Sequence, residues 1–210
     1  MKHTKIFSTV IFLSAIIMVS FMIQAASTSD STSANYNFVS LSNPPGVLQK
    51  VVWREDIYDP SLKGNINVLK LDENYFENIP GPEKAVLGYL ASTIGNECFA
   101  DGSMSNIKCK LLSALNMGYQ CSEESKSFLR TWFREDKAIL NQVENCKPTI
   151  ATTVEKTFDE IKISNSDNRI IVELKGLKLN IKENTESKWK ETLTFKLDGD
   201  KLFLTDRTKK

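Results

Sequence analysis

The run Arg169-Ile170-Ile171-Val172-Glu173-Leu174-Lys175-Gly176-Leu177-Lys178-Leu179-Asn180-Ile181-Lys182 decides how the chain folds. Ile170, Val172 and Leu174 share one face of a strand, following the two-residue period of a half-buried β-strand. After Gly176 the apolar positions become Leu177, Leu179 and Ile181, which have the opposite parity. One inserted residue, a β-bulge, accounts for such a shift. At about 3.3 Å per residue the straight run would reach roughly 45 Å, too long for a domain of this size, so a bent strand in a strongly curved sheet is expected.

The flanking sequence repeats the pattern. Val154 to Ile163, Lys188 to Leu197 and Lys201 to Asp206 are β-branched or alternating, and they are separated by Asn165-Ser166-Asp167, Asn184-Thr185-Glu186 and Asp198-Gly199. Short polar turns of this kind join hairpins, so residues 148–210 are expected to form a four-stranded antiparallel meander. The parity also changes between Phe158 and Ile161, which fits a second bend, one helical turn or a frayed strand start.

Upstream of Pro148 the period becomes helical. Pro82-Glu83 opens a first helix with Val86, Leu87, Leu90 and Ile94 on one face and Gly95 near its end. A second starts near Ser105, carries Ile107, Leu111, Leu112 and Leu115, and stops at Gly118. A third starts at Ser122, an N-cap followed by Glu123 and Glu124, and carries Phe128, Leu129, Trp132, Phe133, Ile139, Leu140 and Val143. Before them, residues 37–81 are punctuated by Pro44-Pro45-Gly46, Asp59-Pro60 and Pro80-Gly81-Pro82, an irregular segment with two edge strands near Val47–Trp53 and Ile66–Leu71. The expected class is α+β: three N-terminal helices, stapled by disulfides, on a curved four-stranded antiparallel sheet with bulges. Residues 82–147 supply the helices, 148–210 the sheet, and 82–206 make one domain.

The first 26 residues have the order of a secretory signal peptide: Lys2 and Lys5, an apolar run from Ile6 to Ile23, then Gln24-Ala25-Ala26-Ser27. An uncleaved anchor is the other reading, since 18 residues nearly span a bilayer. Residues 27–36 form a Ser/Thr-rich flexible leader with too little apolar surface to order itself. A periplasmic or secreted location follows, with no stable membrane span after cleavage. With 41% hydrophobic and 25% charged residues, the 210-residue chain is neither disordered, collagen-like nor a multi-pass membrane protein.

Removing the signal leaves 25 basic against 26 acidic residues, a net charge of −1, and takes away His3, the sole histidine. Histidine-based nucleophilic catalysis, histidine general bases and His-containing zinc sites are thereby excluded. No basic field for nucleic acid is present; Lys175, Lys178 and Lys182 read as a solvated strand face.

Cys98, Cys109, Cys121 and Cys146 are an even number in an exported chain, so two disulfides are expected. Their spacing lacks a C-x2-C clamp, which argues against a four-cysteine zinc site. Three connectivities are open. A straight helix over 122–145 would hold Cys121 and Cys146 about 36 Å apart, against the ~4.4–6.8 Å a disulfide allows, so that pair requires a broken helix. Trp132 to Lys137 contains no Gly or Pro, yet its apolar register is irregular. Pairing Cys98 with Cys109 closes a short local loop and is favoured.

Three helices followed by a long-stranded, bulged sheet, ending in Trp189-Lys190-Glu191 and Leu197-Asp198-Gly199-Asp200-Lys201-Leu202-Phe203-Leu204, resemble the nuclear transport factor 2-like superfamily over residues 82–206. The resemblance implies a cone with a pocket between the helices and the concave sheet face, used for small ligands, for isomerase or hydratase chemistry, or for partner binding. The chain departs from that pattern in its N-terminal segment and its cysteines, and no catalytic residue carries over.

Trp53, Trp132 and Trp189 are the aromatic candidates for lining such a pocket. Trp132 also continues a helical core stripe, and Trp189 begins a strand with inward Leu193, Phe195 and Leu197. The adjacent acids Glu55-Asp56, Asp72-Glu73, Glu135-Asp136 and Asp159-Glu160 point in different directions and read as surface. Asp198 and Asp200 supply too few oxygens for calcium. No phosphate loop, nucleophile elbow or dinucleotide fingerprint is present, so no catalytic residue, metal site or cofactor is assigned.

Two functions fit these exclusions. One is an exported, non-catalytic bacterial envelope protein that binds a protein partner or small ligand, an immunity or inhibitor protein being a concrete version; the lack of an Asn-x-Ser/Thr sequon agrees with a bacterial source. The other is a small-molecule enzyme of isomerase, hydratase or hydrolase type using Asp, Glu or Tyr in a cone pocket, which requires a buried carboxylate of raised pKa.

Overall fold

The computed structural model describes residues 45–94, 107–147 and 153–210. The expected signal peptide and leader, residues 1–36, and Cys98 lie outside them. In chain order the elements are β1 (Gln49–Asp59), β2 (Gly64–Leu71), α1 (Glu73–Glu77), α2 (Gly81–Thr93), α3 (Ile107–Ala114), α4 (Glu123–Phe133), α5 (Lys137–Glu144), β3 (Val154–Ser166), β4 (Arg169–Asn180), β5 (Thr185–Asp198) and β6 (Lys201–Lys209).

The sheet has six antiparallel strands in the order β2-β1-β3-β4-β5-β6, which corrects the expected four. The N-terminal pieces are not two separate edges. Asp59 Oδ1 accepts from the Ser61 amide at 2.8 Å and from the Ser61 hydroxyl at 2.6 Å, and this turn folds β2 back on β1. Residues Gln49 to Trp53 of β1 then pair with β3. That pairing spans about a hundred residues of chain, and no local pattern announces it. The helix count is corrected likewise, from three to five among the described residues.

The meander follows its turn residues. Asp167 and Asn168 both take positive φ, 48° and 60°, as the two central positions of a type I′ hairpin require. The bulge expected in β4 is found instead in β3. Phe158 pairs with Gly176 and Glu160 with Lys175, which leaves Asp159 as the extra residue. β4 pairs with β5 from Arg169 to Asn180 without a shift.

The parity change in β4 therefore marks a change in which face is covered. Up to Leu174 the helix side is filled by Ile170, Val172 and Leu174, all fully buried. At Gly176 the indole of Trp189 takes that place. A Cβ on Gly176 would lie 2.6 Å from the indole and 2.0 Å from the Thr157 carbonyl oxygen. Phe158 meets the same indole edge-on at 5.9 Å, and Trp189 Nε1 donates to Leu177 O at 3.1 Å. Beyond this point Leu177 and Leu179 are half-buried on the other face, and Ile181 is 60% exposed.

On the covered face, Ile161, Ile163, Leu193, Phe195 and Leu197 join the β4 residues against the helices. α2 packs against α3, α4 and α5 and is buried on all sides from Ala85 to Ala91, wider than the single apolar stripe expected of it. Tyr89 of α2, Phe133 of α4 and Phe195 of β5 form an aromatic cluster with centroids 5.6 to 6.1 Å apart. The buried Glu83 carboxylate accepts from the Tyr75 hydroxyl at 2.6 Å and from Asn165 Nδ2 at 3.1 Å, which joins α1, α2 and β3.

The expected third helix is broken after Phe133, into α4 and α5. Ser122 Oγ caps α4 by accepting from the Ser125 amide at 3.1 Å. Arg134, Glu135 and Asp136 then each turn to the sheet. Arg134 pairs with Asp200, and Glu135 with Lys201. Asp136 Oδ1 caps α5 through the Ile139 amide at 3.0 Å, while its Oδ2 accepts from the Leu204 amide at 2.9 Å. Two outcomes follow. Asp136→Ala removes a cap and orphans a strand amide, so urea denaturation is expected to show a loss of about 2–3 kcal/mol, with Asp136→Asn, which keeps one acceptor, between it and wild type. Gly176→Ala forces Cβ against a carbonyl that cannot yield and is expected to lose about 3 kcal/mol in the same assay.

Candidate functional site

The break that produces α5 also builds a cleft. Cys121, just before α4, and Cys146, just after α5, are disulfide-bonded with their Cα atoms 5.5 Å apart. Each carries an amide neighbour, Gln120 and Asn145, and the bridge holds the two beside the C-terminal end of α2. No described cysteine is free; Cys109 is also disulfide-bonded.

The cleft measures about 360 Å3. Ser92 and Gln120 form its buried part, each 4% exposed, and Asn141, Gln142, Asn145 and Lys147 its exposed part. Gln120 Nε2 donates to Ser92 O at 2.9 Å, which fixes the orientation of the amide. Its Oε1 is buried and has no hydrogen-bond partner. Such an orphan acceptor costs about 1–3 kcal/mol. The Tyr89 hydroxyl donates to Gln142 Oε1 at 2.9 Å, so the Gln142 amide group turns its hydrogens outward. Asn145 Nδ2 donates to Asn141 Oδ1 at 2.8 Å and Asn141 O at 2.9 Å. Among the described residues the lining thus offers amide donors, amide acceptors and one ammonium, and no carboxylate.

The buried acids elsewhere are engaged. Glu83 serves the core contact already described. Glu191, 4% exposed, pairs with Arg207, and that hydrogen bond raises the Arg207 pKa. Burial pushes the Asp159 carboxyl above its ordinary range against the opposing pull of Arg54, 3.1 Å away. Arg54 Nη2 also donates to Thr157 Oγ1 at 2.9 Å, so this pair ties β1 to the β3 bulge and lies outside the cleft. Among the described residues no group of three His, Cys, Asp or Glu is placed to hold a metal. Among them, too, no helix is long and apolar enough to cross a membrane.

The three tryptophans lie apart, and none lines the cleft. Trp132 is 8% exposed and packs on Gly81 at the start of α2. Trp189 covers Gly176. Trp53 lies on β1 with Lys50 Nζ 5.8 Å from its ring centroid. Lys175 pairs with Glu160 at 2.8 Å, while Lys178 sits at odd spacing from it and so on the opposite face. Sequence reasoning missed the cleft amides. The available signal was their position: Gln120 and Asn145 immediately precede two cysteines, and Asn141 lies one turn before Asn145.

No known protein family, curated protein or solved structure matches the chain. The bridge that shapes the cleft closes a loop with a sequence separation of 25. Its loss in Cys121→Ala/Cys146→Ala is expected to lower stability by about 3 kcal/mol in urea denaturation, as chain-entropy arguments give for a loop of this length.

Proposed function

We propose that this is an exported, non-catalytic binding protein of the bacterial envelope whose cleft between α2, α5 and the Cys121–Cys146 bridge takes a small polar ligand. The observation that carries this reading is the polar concavity itself, which Ser92, Gln120, Asn141, Gln142 and Asn145 line with a hydroxyl and four side-chain amides. Concave sites with a few convergent polar groups are where small ligands bind. Binding is favoured over turnover because the described residues of the lining include no carboxylate, imidazole or free thiol to move a proton, and Lys147 is exposed.

Export is supported by the order of Lys2, Lys5 and the apolar run to Ile23, and by disulfides, which persist in oxidising compartments. The resemblance to nuclear transport factor 2-like domains implies a pocket between helices and sheet, a different place from this cleft, and contributes no residue to it.

Native mass spectrometry of the protein purified from the periplasm tests the reading. The expected result is a chain shortened by its first ~26 residues that retains an added small mass, with that mass absent from Gln120→Leu. A bare wild-type chain, or an added mass that Gln120→Leu keeps, overturns it.

A further inference from the structure

We infer that the outer edge of β2 is an interface between two copies of this chain, in which β2 pairs antiparallel with the partner's β2 about a two-fold axis and joins the two sheets into one. The sheet ends in β2 on one side and β6 on the other, and the two edges are built differently. β6 is sealed. Its Leu204 N–H donates to Asp136 Oδ2 at 2.9 Å, and Asp200 O accepts from Arg134 at 3.2 Å, so the break between α4 and α5 occupies its backbone. The rest of β6 carries Asp206, Arg207 and Lys209, charges of the kind that keep an edge from pairing. β2 has none of these defences. It runs for 8 residues without proline, pairs with β1 up to Leu71 without a register shift, and has Lys70 as its sole charge.

One bond shows which backbone groups of β2 face outward. Asp72 N donates to Val51 O at 3.0 Å, and the ladder continues in register from Val52 with Leu71. In an antiparallel pair the bonded residues alternate, so Ile66, Val68 and Lys70 turn their N–H and C=O to β1, while Asn65, Asn67 and Leu69 turn theirs away. Among the described residues no other backbone hydrogen bond reaches these three.

That edge is complementary to itself. With the two-fold at Asn67, Asn67 exchanges both bonds with the partner's Asn67, and Asn65 does so with the partner's Leu69. Ile66 and Val68 lie on one face of the hairpin with Ile57. There each Ile66 meets the partner's Val68, a β-branched cross-strand pair made twice by the symmetry. Lys70 falls opposite the partner's Gly64, so no like charges meet. The same hairpin carries two exposed apolar residues, Ile57 at 37% and Leu62 at 68%. Because β6 is sealed, pairing through β2 closes at two copies and leaves no open edge for a third.

Sedimentation velocity and amide hydrogen exchange of the disulfide-intact protein over a concentration series test this. The expected result is a reversible shift from one chain to two. The Asn65, Asn67 and Leu69 amides gain protection as the dimer forms, whereas Ile66, Val68 and Lys70, bonded to β1, are protected throughout. Val68→Lys sets an ammonium against the partner's Ile66 while remaining opposite Glu55 of its own β1, and Asn65→Pro removes an outward donor without touching the β1 ladder. Each is expected to weaken association by about tenfold or more, with the far-UV circular dichroism unchanged. A chain that stays monomeric at every concentration overturns the inference. So does a dimer that both variants form like wild type, or one in which the three outward amides stay unprotected. Protection of those amides in a monomer overturns it too, and gives the edge to another segment of this chain.

Discussion

Asp136 uses both carboxylate oxygens: Oδ1 takes the Ile139 amide and starts α5, while Oδ2 takes the Leu204 amide and pins that start to β6. A carboxylate is suited to this because it only accepts, and two backbone N–H groups converge on it from different elements. The helix that opens at Ser122 therefore stops without the help of glycine or proline. What ends it is a set of contacts with the sheet, to which Arg134 and Glu135 add ion pairs with Asp200 and Lys201. Much of the rest depends on this break. α5 turns back along α4, Arg130 on α4 binds Glu144 on α5 through Nε at 2.5 Å and Nη2 at 2.8 Å, and Cys146 returns to Cys121.

The cleft is a consequence of that return. Gln120 and Asn145 are distant in sequence and become neighbours because each precedes one half of the bridge. The Tyr89 hydroxyl then links the cleft to the core, since its ring packs with Phe133 and Phe195 while its oxygen orients Gln142. Removing the core contact would thus loosen an amide that faces the cleft. The same coupling explains why an unsatisfied acceptor persists at Gln120: its amide nitrogen holds Ser92 O, and the surrounding packing leaves the oxygen no protein donor.

The sheet shows a second constraint, its outgrowth beyond the helices. Helices cover the face built from Ile161, Ile163, Ile170, Val172 and Leu174, and further along the strands an indole replaces them. Gly176 permits the close approach of Trp189, and Asp159 bulges from β3 on the other side of it. Arg54 meets that bulge from β1, donating to Thr157 Oγ1 and to Phe158 O at 3.3 Å. The curved end of the sheet is thus held by one glycine, one indole and one guanidinium.

The sequence by itself determined the local elements. Alternation over 154–206 placed the strands of the meander, Ser122 with Glu123 and Glu124 placed the start of α4, and the separation of Cys121 from Cys146 showed that their pairing needs a bent helix. Periodicity, caps and chain length carry that information within a few residues. Tertiary structure decided the remainder. Six strands in place of four came from β1 finding β3 across a hundred residues; of the two described helices beyond the expected three, one came from the turning of residues 134–136 to the sheet and the other is α1, capped by Asp72; and the parity switch at Gly176 came from Trp189. The amide cleft belongs to the same class. Its residues lie in three separate segments, each an ordinary polar position locally, and only the disulfide and the fold of α5 onto α4 bring them into one cleft. Contacts of that kind depend on which distant segment packs nearby, and a linear pattern with a reach of one or two turns does not encode it.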